Sequence, residues 1–139
     1  MSQVERFREQ HAQAVAVVQQ ISALLNPVAL AADATKVRHL LSQLVGALQA
    51  HLAMEDSLLY PKLIASSDAK VSGMAKRFQQ EMGGIKDALG AYVKKWPSAV
   101  AIQQNPALFI ADTRGIFAAL AKRIEKEDKE LYVAAAGML

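Results

Sequence analysis

Apolar side chains recur at alternating three- and four-residue steps along four stretches of this chain, and no stretch shows the two-residue alternation of a strand. The first stripe is Val4, Phe7, His11, Ala14, Val18, Ile21 and Leu25. Val37, Leu40, Leu41, Leu44, Leu48, His51, Glu55, Leu58 and Leu59 form the second. A third holds Met74, Phe78, Met82, Ile85, Leu89, Tyr92 and Trp96, and a fourth Phe109, Thr113, Ile116, Leu120, Arg123, Glu127 and Leu131. This spacing places each set on one face of a helix. Ser2 and Glu5 make a capping box that opens the first helix, and Asn26-Pro27 closes it. Asp33 or Thr35 caps the second, which runs to Pro61 or just beyond. Ala65-Ser66-Ser67-Asp68 reads as a loop that caps the third, and Pro97 stops it. Gly83-Gly84 weakens its middle by roughly 1 kcal/mol per glycine relative to alanine. Asn105-Pro106 opens the fourth. Helices of this length with short connections predict an all-α, antiparallel up-down-up-down four-helix bundle, with residues 1–139 as a single domain and no internal repeat.

Three of the stripes carry polar groups on their apolar face. His11 lies in the first, His51 and Glu55 in the second, Arg123 and Glu127 in the fourth, the last two pairs four residues apart and so stacked on one side of a helix. From His11 to the end of its helix is about 14 residues, roughly 21 Å at 1.5 Å per residue. From the start of the second helix to His51 is about 16 residues, roughly 24 Å. Folding one helix back on the other brings the two histidines to the same height. Met82 and Arg123 reach that level within about a turn. One layer of the bundle then holds His11, His51, Glu55, Met82, Arg123 and Glu127. Such groups in an apolar interior need a metal ion or a buried hydrogen-bond and ion-pair network to satisfy them.

Composition narrows the classes. At 139 residues, 53% apolar and poor in aromatics, the chain suits packed helices around a sizeable core. A net charge of +3, scattered along the helices, argues against a nucleic-acid partner. The lack of cysteine removes disulfides, thiolate metal sites and cysteine catalysis. The N-terminus carries charged and amide residues with no apolar run behind them, unlike a signal peptide, and no apolar run reaches the ~18 residues that span a bilayer. A soluble, cytoplasmic domain without membrane contact is expected. No nucleophile–base pair or phosphate-binding loop stands apart from the polar layer, so an enzyme is not expected.

His11, and His51-x-x-x-Glu55-Asp56 followed by Leu59-Tyr60-Pro61, resemble the hemerythrin-like HHE cation-binding family. The stretch Arg123-Ile124-Glu125-Lys126-Glu127-Asp128-Lys129-Glu130-Leu131-Tyr132 is similar to that family's second histidine–carboxylate block. The resemblance spans nearly the whole chain. It implies a four-helix bundle around a non-haem, usually di-iron, centre that binds oxygen or senses oxygen, nitric oxide or redox state. Two positions depart from it: Met82 stands where the family has a third-helix histidine, and Arg123 where it has a fourth-helix one. A further third-helix histidine, in members that have one, falls near Lys86. His11, His51, Glu55 and Glu127 remain as metal ligands, with Met82 and Arg123 modifying the site.

Arginine stays protonated and offers no lone pair, so it cannot ligate a metal. Its guanidinium is instead expected to stand where a metal stood, bridging Glu55 and Glu127, with His11 and His51 neutral and hydrogen-bonded. Met82 then fills core space left by a histidine. The function expected is a degenerate, non-catalytic regulatory or sensing bundle, acting through an unknown protein partner without a cofactor. The alternative is a domain holding a single non-haem ion, iron first, for oxygen, nitric oxide or redox sensing. His39 is expected in solvent, Lys86 at the bundle edge, and Tyr60 and Tyr132 packed at one end of the bundle.

Overall fold

The computed structural model describes residues 2–138, and every regular element among them is helical. The α-helices are α1 (Gln3–Ser22), α2 (Pro27–Ala32), α3 (Thr35–Met54), α4 (Tyr60–Ile64), α5 (Ala69–Met82), α6 (Ile85–Lys95), α7 (Ala99–Gln104), α8 (Pro106–Lys126) and α9 (Tyr132–Ala134). Two π-helical turns, Glu55–Leu59 and Glu127–Leu131, join α3 to α4 and α8 to α9. The long helices close a ring: α1 packs on α3, α3 on α6, α6 on α8, and α8 on α1. Phe7, Ile21, Leu41, Leu44, Phe78, Leu89, Phe109 and Leu120 fill its centre.

Side chains set the helix starts. Ser2 and Glu5 complete the capping box, the Glu5 N–H donating to Ser2 Oγ at 3.1 Å and the Ser2 N–H to Glu5 Oε2 at 3.2 Å. Asp68 accepts from the Lys70 and Val71 N–H groups, and Asn105 from Leu108. The connections hold more structure than four plain helices allow. Asn26 caps the short α2, Ser98 caps α7, and α2 packs against α7 and α8. The third helix divides at Gly83-Gly84, where a Cβ on Gly83 would run into the Gln79 carbonyl oxygen.

The π turns change which residues face inward. In each, the N–H of a tyrosine bonds five residues back, Tyr60 to the Glu55 carbonyl and Tyr132 to the Glu127 carbonyl. The extra residue rotates the rest of the helix about its axis. Leu58, expected on the apolar face, is 59% exposed, while Leu59, Tyr60 and Leu63 are buried. No helix among the described residues is long and apolar enough to cross a membrane.

Candidate metal centre

Four elements deliver polar side chains to one buried point: α1 gives His11, α3 gives His51, and the two π turns give Glu55 and Glu127. All four residues are at most 6% exposed. One ligand atom from each lies within 4.8 Å of the others. His11 Nε2 is 2.9 Å from His51 Nε2 and 3.3 Å from Glu127 Oε1, and His51 Nε2 is 2.7 Å from Glu55 Oε1. Phe7 meets the His51 ring edge-on, and Tyr132 stacks on His11 with centroids 5.5 Å apart, so neither imidazole can swing away.

The far nitrogen of each imidazole is tethered. His11 Nδ1 donates to Asp128 Oδ1 at 2.9 Å, and His51 Nδ1 to Gln10 Oε1 at 2.5 Å. With the proton on Nδ1, a neutral imidazole presents a lone pair at Nε2. Two such lone pairs then face each other and two carboxylates. The Glu55 Oε1 atom is buried and makes no hydrogen bond, despite the nearby His51 nitrogen. Only a cation reconciles this set, either a proton or a metal ion. Nitrogen and oxygen donors in this number, with outer hydrogen bonds fixing the tautomers, fit a divalent ion.

Without a metal the protons take its place. Burial alone would depress His11, but Glu127 and Glu55 outweigh it and raise its pKa to about 10. Burial likewise works against Glu55, yet the facing His11 and His51 rings and the Arg123 charge hold it well below the usual carboxylate range. Glu127 is raised by burial and by the like charge of Glu55. The expectation that both histidines are neutral therefore fails at His11 in the ion-free cluster, because two carboxylates face one imidazole.

Arg123 is 1% exposed and sits in the corresponding place on α8. Its Nε donates to Glu127 Oε2 at 3.1 Å, one Nη to Asp56 Oδ1 at 2.7 Å, and the other Nη to the Met82 backbone carbonyl at 3.2 Å. Glu55 Oε1 is 3.8 Å away, an ion pair without a hydrogen bond. The guanidinium thus joins Glu127 to Asp56 rather than bridging Glu127 and Glu55. Burial opposes its charge, but Glu127 and Glu55 raise its pKa further, so it stays a cation. Met82 is 3% exposed and reaches the cluster through its carbonyl, not its thioether.

Tyr60 and Tyr132 depart most from expectation. Rather than packing at one end, they complete the cluster. Tyr60 Oη donates to Glu127 Oε2 and Tyr132 Oη to Glu55 Oε2, each at 2.7 Å, so each π turn supplies a carboxylate to itself and a phenol to its counterpart. Burial and the surrounding carboxylates push both phenols far up, which keeps them donors. The sequence signal is the Leu-Tyr pair that closes both blocks. Asp56 and Asp128, each next to its glutamate, and Gln10, next to His11, also escape a reading of the sequence. His39 is exposed beside Gln43, and Lys86 is half-buried outside the cluster. Lys95 is taken up by Asp112 at 2.7 Å, which also accepts from Trp96.

An all-helical protein with a buried histidine–carboxylate centre is thereby defined. Residues 2–135 match the Hemerythrin HHE cation binding domain, and the chain belongs to that family. No curated protein and no solved structure is significantly similar to it.

Proposed function

We propose that this hemerythrin-family chain binds one non-haem metal ion through His11, His51, Glu55 and Glu127, and works as a binding or sensing module rather than an enzyme. The observation that carries the reading is the pair of tethered imidazoles: both Nδ1 atoms are held from outside, so both Nε2 atoms converge on the unpaired Glu55 Oε1. An ion held there would supply a Lewis-acidic or redox-active centre. The residues of this chain would orient it and exclude water, while the fixed charge of Arg123 beside Glu127 and Asp56 would repel a second ion. The ring of long helices is read as the up-down-up-down bundle of that family, and the setting as cytoplasmic.

A second reading keeps the cluster ion-free and routes its function through a protein partner. It is favoured by Arg123 and a protonated His11, which together neutralise the buried carboxylates. Metal analysis of untagged protein purified without chelators separates the two. About one ion per chain, lost in His51→Ala, is the expected result. A stable wild-type chain that takes up no iron, zinc, manganese or cobalt would refute the metal reading.

A further inference from the structure

The oxygen atoms of Glu55 and Glu127 are not equivalent, and the difference decides what kind of ion the site takes. On each carboxylate Oε1 faces the histidines, while Oε2 is committed elsewhere. Glu55 Oε2 accepts the Tyr132 hydroxyl at 2.7 Å. Glu127 Oε2 accepts both the Tyr60 hydroxyl at 2.7 Å and Arg123 Nε at 3.1 Å. Chelation by both oxygens would require each carboxylate to rotate and break these bonds. Bridging to a second ion through Glu127 Oε2 would also have to displace the Arg123 guanidinium that holds that oxygen.

We infer that Tyr60, Tyr132 and Arg123 are positioning residues that limit each glutamate to one donor oxygen, so that the centre offers a four-donor N2O2 set to a single ion. This rests on the metal-binding reading of the site. The chemistry favours divalent ions content with four ligands, zinc and cobalt(II), over a pair of six-coordinate irons. Three of the separations between Nε2 and Oε1 atoms are 2.7, 3.3 and 3.9 Å, and the four ligand atoms all lie within 4.8 Å of one another, close enough to close on one ion. Ligands about 2.0–2.1 Å from one ion in a tetrahedron stand about 3.4 Å apart. The four residues are almost wholly buried, which disfavours added water ligands.

Cobalt(II) reports coordination number directly, because four-coordinate cobalt absorbs intensely in the visible and six-coordinate cobalt only faintly. The experiment is equilibrium dialysis of the wild-type chain against cobalt(II) chloride, and then measurement of its visible spectrum. One cobalt per chain with intense bands is the expected result. Tyr132→Phe, which frees Glu55 Oε2, should weaken those bands several-fold while binding persists, and Tyr60→Phe should change them less because Arg123 still holds Glu127. Circular dichroism confirms that each variant is folded. If Tyr132→Phe does not fold, the wild-type spectrum alone still decides. One faintly coloured cobalt, or two per chain, overturns this inference but leaves the metal reading standing. No uptake of cobalt or zinc overturns this inference, and none of iron or manganese either overturns both.

Discussion

Replacing Arg123 by methionine removes the one buried side-chain cation of α8 at nearly constant volume. Three groups lose a donor: Glu127, which is fully buried and keeps only Tyr60 on Oε2, the Met82 carbonyl, and Asp56, whose side chain is 31% exposed. Breaking a buried pair by deleting one partner costs roughly 3–5 kcal/mol. The Met82 carbonyl adds part of the roughly 1–3 kcal/mol carried by an unsatisfied buried group. Asp56 can turn to water, so its contact is discounted to a surface value, under about 1 kcal/mol. These losses overlap, and the expected total is about 4 kcal/mol. With a urea slope of about 1.5 kcal/mol per molar for a chain of this size, the midpoint falls by roughly 2.5 M. Urea unfolding at neutral pH in the presence of a chelator measures it. The double variant Arg123→Met, Glu127→Gln should recover part of the loss, since the charge left unpaired is then gone. A single variant within about 1 kcal/mol of wild type, with an unchanged slope, would mean that burying the guanidinium costs as much as its partners return, and that the cluster does not depend on it.

The helix register and the histidines can each be tested as well. Leu58→Ala should be close to neutral, whereas Leu59→Ala should cost about 2–5 kcal/mol, because Leu58 is 59% exposed and Leu59 1%; equal losses in thermal unfolding would restore the plain α-helical register. Metal uptake should release a proton from His11, whose pKa is about 10 in the ion-free cluster, so affinity should rise by up to about tenfold per pH unit between pH 6 and 8. A competition titration with a chromophoric chelator checks this, and a flat profile refutes it. The sign for the ion-free protein is opposite. His11 is raised from 6.5 to about 10 on folding, so its stabilisation is complete below pH 6.5 and lost as pH climbs towards 10.

The helix starts are legible in the sequence because capping is local: Ser2, Asp68 and Asn105 bond to N–H groups within three residues. The meeting of His11, His51, Glu55 and Glu127 is legible because rise per residue converts sequence distance into height. The features that escape the pattern have a common physical origin. A helix of strict 3.6-residue period puts Leu58 inside, and nothing in its side chain says otherwise. The π turn at Glu55–Leu59 exists because its reward is tertiary: the added residue swings Tyr60 onto Glu127, as the turn at Glu127–Leu131 swings Tyr132 onto Glu55. The shortest bond of each phenol, 2.7 Å, goes to the other turn's glutamate, so what each turn gains is set by tertiary contact and not by its own helix period.

As matched pairs, Glu55 with Glu127, Asp56 with Asp128, and Tyr60 with Tyr132, the two blocks are halves of one site, and both read Glu-Asp-x-x-Leu-Tyr in the sequence. The symmetry breaks where the halves meet their cations. Asp128 orients His11, while Asp56 is left to Arg123, because Met82 offers it no ring nitrogen. A guanidinium can serve Glu127, Asp56 and the Met82 carbonyl at once through its planar fork, which a lysine ammonium on its flexible stem could not do with the same geometry. The arginine on α8 and the methionine on α5 are therefore joined through one hydrogen bond, from the guanidinium to the Met82 backbone. Arg123 is the side chain that satisfies both Asp56 and the Met82 carbonyl while pairing with Glu127.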